Sequence, residues 1–203
     1  MRFLSFEANG QAGIGWVKDI HATDFVNLTL AAPELPRNLK DLINTPGSLA
    51  AADAAARKAP ANAVQAMFSV TLLPVIPNPG KIVCMGLNYA DHAKEGGNAR
   101  PEYPSFFLRG NSSMVGHNQP IVRPKASTQL DYEAELAVVI GKKARHLTAD
   151  NALDCIAGYS CFNDGSIRNY QRKSSQWTIG KNFDTVDIRI HKWNHALFAL
   201  AFL

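Results

Sequence analysis

The chain lacks any long apolar run, and it has few cysteines and no concentrated block of positive charge. Its longest apolar stretch is ALFALAFL at residues 196–203, far short of the roughly 18 residues that a membrane-spanning helix needs. The net charge of +4 is scattered without a basic run interleaved with aromatics, so we expect neither a membrane nor a nucleic-acid partner. Hydrophobic residues make up 46% of the sequence and charged residues 19%, which argues against a disordered chain.

The chain has only three cysteines, Cys84, Cys155 and Cys161, and none of them is in CxxC spacing. Their apolar surroundings predict buried small side chains rather than catalytic thiols. The odd count, together with an N-terminus without a signal-like pattern, leads us to expect a reducing, cytoplasmic setting.

The sequence pattern changes near residue 75. Residues 1–73 combine a hairpin pattern, with a turn signal at Asn9–Gly10, and an alanine-rich helical stretch, which predicts a small N-terminal α+β domain. A proline-rich linker follows at residues 74–80. Residues 81–185 mix short helical patterns with strand patterns such as KIVCMG, SFFLRG and PIVRP, which predicts a β-rich α+β domain.

The segment LDYEAELAVVIG, residues 130–141, alternates as a strand does. Glu133 and Glu135 share one face, and the apolar Leu136, Val138 and Ile140 lie on the other. Two carboxylates near a buried face are costly unless a cation neutralises them. The alternative, which this pattern alone leaves open, is a solvated pair on an exposed face.

Four further side chains could serve in a functional site, although each also has an ordinary structural interpretation. His92 precedes Glu95 by three residues in the helical pattern NYADHAKEGG, where a carboxylate can orient an imidazole that takes a proton from water. The alternative is a surface or capping histidine. Asp164 ends an extended run, as a metal ligand or a helix N-cap would. Lys181, in QWTIGKNFD, would meet an oxyanion or extend over the surface.

Together these segments resemble the fumarylacetoacetate hydrolase family over about residues 75–185. The resemblance is carried by KIVCMGLNYADHAKE, by YPSFFLRGNSSMVGHNQPI, by the Glu-x-Glu strand with its following aspartate, and by QWTIGKNFD. It implies a mixed β-sandwich or roll domain that is incomplete at its C-terminal end. Residues 1–73 resemble, more weakly, the variable N-terminal domain of bacterial members.

The resemblance also implies individual roles and a reaction class. The implied residues are Glu133, Glu135 and Asp164 for Mg²⁺ or Mn²⁺, His92 and Glu95 for water activation, and Lys181, Arg168 and Gln171 for polarising or binding the substrate. Members are typically homodimers that act on small 2-oxo or 1,3-diketo acids. We therefore expect a Mg²⁺-dependent hydrolase of C–C bonds in acylpyruvate-type acids, acting through a metal-stabilised enolate. Decarboxylation, hydration and isomerisation within the same family remain open.

The tail at residues 186–203 does not resemble the family, whose members continue well past the position of Thr185. We expect a frameshift, a premature end or a cloning artefact at this point. The chain would then be either a metal-dependent enzyme or a remnant that keeps the ligands without a complete site. Apolar sheet faces left uncovered would make it a poor monomer, with self-association as the remedy.

Overall fold

The computed structural model describes residues 1–89, 97, 101–184 and 200–201. The strands are β1 (Arg2–Ala8), β2 (Gln11–Trp16), β3 (Asp24–Asn27), β4 (Val64–Ala66), β5 (Thr71–Leu72), β6 (Ile82–Gly86), β7 (Ser105–Arg109), β8 (Leu130–Asp131), β9 (Ala134–Ile140), β10 (Ile156–Asn163), β11 (Ser166–Ile167) and β12 (Leu200–Ala201). The helices are α1 (Leu28–Ala31), α2 (Leu39–Asn44), α3 (Ser48–Arg57), α4 (Arg168–Gln171) and α5 (Thr178–Lys181). This composition confirms the predicted β-rich α+β class. None of the helices in the described ranges is long and apolar enough to cross a membrane.

Strands β1 and β2 form the hairpin that the Asn9–Gly10 signal predicts. Both turn residues have positive φ, 52° and 73°, as a two-residue hairpin turn requires, and the register pairs Ala8 with Gln11. Apolar side chains then cover both faces of the hairpin. Phe3 and Ile14 pack with residues of α1 to α3, whereas Leu4 and Phe6 belong to a second buried cluster.

The main sheet has the order β4-β3-β2-β1-β12-β10-β9, and β5 pairs with β1. Strand β12 joins the two halves, because Ala201 pairs with Arg2 on β1 and with Tyr159 on β10. Two-stranded sheets formed by β6–β7 and by β8–β11 complete the strand pairing of the described residues.

The prediction of a strand at PIVRP, residues 120–124, is wrong, because these residues form neither strand nor helix. Pro120 and Pro124 lack the N–H groups that a paired strand donates. The residues SIRNYQRKS after Asp164 also predict a helix longer than the one observed, since Ser166–Ile167 pairs as β11 and only one helical turn follows.

Strand β9 turns its apolar face outward and its acidic face inward. Leu136, Val138 and Ile140 are 58%, 46% and 63% exposed, whereas the Glu133 side chain, just before the strand, is 12% exposed. The β6–β7 pair likewise exposes Phe106 and its neighbours on one face. A fully solvated glutamate pair is therefore excluded, and the inward faces of these strands form the candidate site.

Candidate active site

The register between β9 and β10 brings two carboxylates together. Phe162 pairs with Glu135 and Asn163 with Ala134, and the Asp164 N–H continues this ladder by donating to the Glu133 carbonyl at 2.8 Å. Residues directly opposite in an antiparallel pair project from the same face. Glu133 and Asp164 are therefore neighbours although 31 positions separate them in the sequence.

Lys181 lies between these two carboxylates. Its Nζ donates to Glu133 Oε2 and to Asp164 Oδ2, each at 2.6 Å, and its side chain is only 2% exposed. A lysine is buried to this extent almost only when it is paired, and here it has two acidic partners. This burial excludes the alternative of a surface lysine, while the role of Lys181 toward an oxyanion stays a prediction.

Two contacts hold helix α5 close enough for Lys181 to reach the two carboxylates. A Cβ on the buried Gly180 would lie 2.4 Å from the Gln171 backbone nitrogen, so only glycine allows α5 to approach α4 this closely. Asn182 anchors the other side, since its Nδ2 donates to the Leu108 carbonyl at 2.9 Å and its Oδ1 accepts from Gly110 N at 2.6 Å.

Arg168 contacts the same acidic cluster from α4. Its Nε donates to Asp131 Oδ2 at 2.9 Å, and its Nη1 donates to Glu133 Oε1 and, at 3.0 Å, to Gln171 Oε1. Burial by itself raises the pKa of the Glu133 carboxyl, but the Lys181 and Arg168 cations outweigh it, so this pKa lies below its ordinary value. Glu133 is therefore ionised at neutral pH.

Glu135 differs from Glu133 because no cation among the residues that the structure describes forms an ion pair with it, whereas Lys181 and Arg168 pair with Glu133. Burial, followed by the negative charges of Asp164 and Glu133, raises the pKa of the Glu135 carboxyl, and a hydrogen bond with Tyr89 opposes this only partly. Tyr89 has a positive φ of 66°, which is uncommon for a bulky residue, and its hydroxyl also accepts from Leu136 N at 3.3 Å. The surroundings of Glu135 thus disfavour its ionised form.

The carboxylates of this cluster are of the type that binds a divalent cation, but in this structure the Lys181 ammonium is bound between two of them. Glu133, Glu135 and Asp164 supply only oxygen atoms, the ligands that Mg²⁺ and Mn²⁺ prefer, and the pKa of Glu135 is raised first by burial and then by the negative charges of Asp164 and Glu133. In the part of the chain that the structure describes, no three His, Cys, Asp or Glu residues are already grouped to hold a metal ion. Lys181 Nζ lies where Glu133 and Asp164 converge.

A family model for the C-terminal domain of fumarylacetoacetate (FAA) hydrolase matches residues 81–188, more than half of the chain. This chain belongs to the fumarylacetoacetate hydrolase family. The resemblance read from the sequence is thereby confirmed, and the fold with it.

Named relatives cover much of the chain. The human mitochondrial oxaloacetate tautomerase FAHD2A is 38% identical over 162 residues, which are 79% of this chain and 51% of that protein. The solved fumarylacetoacetate hydrolase of Exiguobacterium antarcticum is 32% identical with a TM-score of 0.69, and maleylpyruvate hydrolase from Sphingobium sp. SYK-6 is 26% identical with a TM-score of 0.67. Each structural match covers 91% of this chain and 63% of the other.

These matches establish an enzyme family and leave the location open. The named relatives are tautomerases and hydrolases, but the chain spans about half the length of the curated relatives it matches. Because some of those relatives are named mitochondrial, a cytoplasmic setting stays a prediction for this family member.

Two residues of the predicted site, His92 and Glu95, lie outside the described residues. Their role in activating water therefore stays a prediction. In the described part of the predicted site, Lys181 directly contacts Glu133 and Asp164, and Arg168 and Gln171 adjoin them.

Arg109 is a member of the site that the sequence reading did not select. It ends β7, its side chain is 6% exposed, and its Nη1 donates to Asp164 Oδ1 at 2.5 Å. The available signal was an arginine on the inward positions of an alternating strand, where a charge needs a buried partner.

The three cysteines differ in their exposure to solvent. Cys155 is buried as expected, but Cys161 is exposed and Cys84 is intermediate, so the prediction of three buried thiols is wrong for Cys161. Cys161 alternates onto the outward face of β10 with the uncovered side chains of β9. Burial, aided by the charge of Asp164, raises the pKa of Cys84 to about 11, which makes it a poor thiolate nucleophile.

Proposed function

We propose that this chain carries the charged site of an enzyme that converts a small 2-oxo acid through its enolate. The observation that carries the proposal is the buried contact of Lys181 with both Glu133 and Asp164. A 2-oxo acid brings a carboxylate and a ketone oxygen, and its enolate concentrates negative charge on that oxygen. Preorganised positive charge in a dry site stabilises such an anion more than it stabilises the neutral ketone.

We assign the cation ligands to Glu133, Glu135 and Asp164. When bound, Mg²⁺ or Mn²⁺ would supply positive charge beside the 2-oxo oxygen as the enolate develops. Lys181 adds a second positive charge from a site where water is excluded, and it is the residue we place against the enolate oxygen. Arg168 holds Glu133 in place through its guanidinium, while Gln171 fixes that guanidinium at 3.0 Å and adjoins the space for the substrate.

Keto–enol tautomerisation of an oxaloacetate-like acid is the reaction that we place first. The human relative with this activity in its name is 38% identical over 79% of the chain. Tautomerisation moves a proton between carbon and oxygen and requires no attacking water, so the described charges suffice to stabilise its intermediate. The sequence alone ranked C–C hydrolysis first, and we place tautomerisation first because of the similarity to this relative.

Hydrolysis of an acylpyruvate-type acid is the second candidate. It is favoured by the spacing of His92 and Glu95, which suits a water-activating pair, and by the similarity to maleylpyruvate hydrolase. Both reactions share the enolate, so the same carboxylates and Lys181 serve either one.

The test is an absorbance assay on the purified chain with oxaloacetate, which follows the enol form with and without Mg²⁺ or Mn²⁺. Because the relatives are longer, the assay is repeated on the chain extended with the C-terminal part of the Exiguobacterium protein. Lys181→Met should lower the rate about 10²- to 10³-fold, as loss of one oxyanion-stabilising donor does. Lys142→Met, an exposed lysine on the loop after β9, is the matched control.

Cation-independent rates, or equal rates in Lys181→Met and the parent, would contradict the proposal. A parallel assay with an acylpyruvate separates the two reactions, because only hydrolysis consumes that compound irreversibly.

A further inference from the structure

Strand β9 lies at the end of the main sheet, and among the described residues it pairs only with β10. At both ends of β9, the hydrogen bonds to the β10 side involve odd-numbered residues. The Asp164 N–H donates to the Glu133 carbonyl, and the Gly141 N–H donates to the Cys155 carbonyl, each at 2.8 Å. Because backbone groups alternate in direction along a strand, those of the even-numbered residues point away from β10, toward the outer edge of the sheet.

Leu136, Val138 and Ile140 are the even-numbered residues in the centre of this edge, and their side chains are exposed. The Leu136 N–H donates to the Tyr89 hydroxyl at 3.3 Å, a long hydrogen bond for an amide. Proteins usually protect a sheet edge with a proline or with charged side chains. The run LAVVI, residues 136–140, contains neither, and its valines and isoleucine favour strand pairing. This edge is therefore suited to receive another strand.

The charges that flank β9 indicate which strand fits this edge, and in which direction. Asp131, which pairs with Arg168 but keeps a side chain that is 47% exposed, lies before β9. Lys142 and Lys143, both exposed, follow it. A second copy of β9 in the antiparallel direction brings the acidic end of one strand beside the basic end of the other, whereas a parallel copy brings lysines beside lysines. The flanking charges are thus complementary between two copies related by a twofold axis.

We infer that the outer edge of β9 binds β9 of a second copy of this chain, in the antiparallel direction. With Val138 of both copies on the twofold axis, Leu136 of each copy lies opposite Ile140 of the other, so every exposed apolar side chain meets another. In this register the same three residues exchange backbone hydrogen bonds across the axis, and the long bond from Leu136 to Tyr89 is replaced. The inference is independent of the proposed reaction, which uses the inward face of β9.

The experiment tests this register by disulfide cross-linking of the 203-residue chain in a Cys161→Ser background, which removes the exposed native cysteine. Residues that exchange backbone hydrogen bonds across two strands have Cα atoms about 5.5 Å apart, within the roughly 4.4–6.8 Å that a disulfide spans. Val138→Cys should therefore form a covalent dimer on mild oxidation, as measured by non-reducing electrophoresis. Ile140→Cys is the matched control, because it is exposed on the same face, but its two copies would lie about 14 Å apart along the strands.

A mixing experiment supplies a second readout. Leu136→Cys and Ile140→Cys chains, neither of which should cross-link alone, should form a mixed covalent dimer when they are combined under reducing conditions and then oxidised. Lys143→Glu should lower the yield of the Val138→Cys dimer, because a glutamate then faces the acidic end of the other strand, whereas Lys58→Glu at the end of α3 should not. Cross-linking of Ile140→Cys alone as readily as Val138→Cys, or the absence of the mixed dimer, would overturn the inference, as would a parent chain that stays monomeric in sedimentation velocity.

Discussion

Lys181 places a buried ammonium between two carboxylates, and both of its contacts with them are 2.6 Å long. Burial of a charge is tolerated when opposite charges and hydrogen bonds accompany it. Removal of one partner leaves the others uncompensated, which is far more costly than removal of a whole buried pair. The residue therefore contributes to stability as well as to the proposed chemistry.

Lys181→Met should lower the free energy of unfolding by about 3–5 kcal/mol at pH 7, because Glu133 and Asp164 then face each other without the cation between them, and each keeps only the arginine on its other oxygen. Urea denaturation followed by far-UV circular dichroism measures this change. The loss should shrink as the pH falls through the lowered pKa of Glu133 and this carboxyl becomes protonated. Lys142→Met should stay within about 0.5 kcal/mol of the parent, and a Lys181→Met chain as stable as this control would refute the prediction.

At the scale of elements, the sequence predicted best where local pattern decides the structure. The Asn9–Gly10 turn, the alternation around Glu133 and the strand KIVCMG depend on neighbouring residues alone, and all are present. The expectation that KIVCMG is buried is wrong for its outward face, where Val83 and Met85 are exposed. The proximity of Glu133 to Asp164 depends instead on the strand register, which no local pattern encodes. Arg109 was missed for the same reason, since its partner Asp164 lies 55 positions away.

Gly180→Ala tests the close approach of α5 to α4. The added Cβ would lie 2.4 Å from the Gln171 nitrogen, and backbone cannot give way as a flexible side chain can. We expect a loss of about 1–3 kcal/mol in the free energy of unfolding, measured by urea denaturation. Gly80→Ala, whose Cβ would meet nothing within 4 Å, is the control, and equal stabilities of the two variants would count against the described packing.

The hydrogen bond between Trp16 on β2 and Asp53 on α3 should make the stability of the fold depend on pH. Trp16 Nε1 donates to Asp53 Oδ1 at 2.8 Å, and the hydrogen bond from Arg57 is the main cause that holds the pKa of Asp53 below its ordinary value. A carboxyl whose pKa is lower in the folded state stabilises the fold above the unfolded pKa, about 3.9, and loses this contribution as the pH falls through the folded pKa.

Asp53→Ala should therefore cost about 1–3 kcal/mol at pH 7, because it leaves the Trp16 indole N–H without its acceptor. The difference in the free energy of unfolding between this variant and the parent should become smaller as the pH falls below about 4. Urea denaturation at a series of pH values, followed by Trp fluorescence, gives the comparison. If the difference in the free energy of unfolding stays constant down to pH 2, the charge of Asp53 does not contribute to the stability that its contacts provide.

At the scale of the whole molecule, the described residues leave apolar faces open on β6–β7 and β9. Val83, Phe106 and Leu108 are 57%, 63% and 54% exposed, and β9 adds three aliphatic side chains. Exposed patches of this kind promote association. The predicted homodimer is one way to cover them, and it stays a proposal for this chain.

We expect the 203-residue chain to self-associate with increasing concentration, as measured by sedimentation velocity. Replacing Phe106 and Leu136 by serine should shift the distribution toward the monomer, because it removes large apolar side chains from both faces. Phe68→Ser is the control, since Phe68 is 90% exposed but lies on a separate 3-10 turn. A parent chain that remains monomeric at every concentration would contradict this expectation.

The central claim, a cation site that stabilises an enolate, is tested most directly by calorimetric titration with oxalate, a dianion that mimics the enolate of a 2-oxo acid. The account predicts that oxalate binds only when Mg²⁺ or Mn²⁺ is present. Glu135→Gln should weaken this binding at least about 10-fold, as expected when a cation loses a charged ligand, while Glu7→Gln, an exposed glutamate on β1, should not change it. Oxalate binding that is equally tight without a cation, or unaffected by Glu135→Gln, would contradict the account.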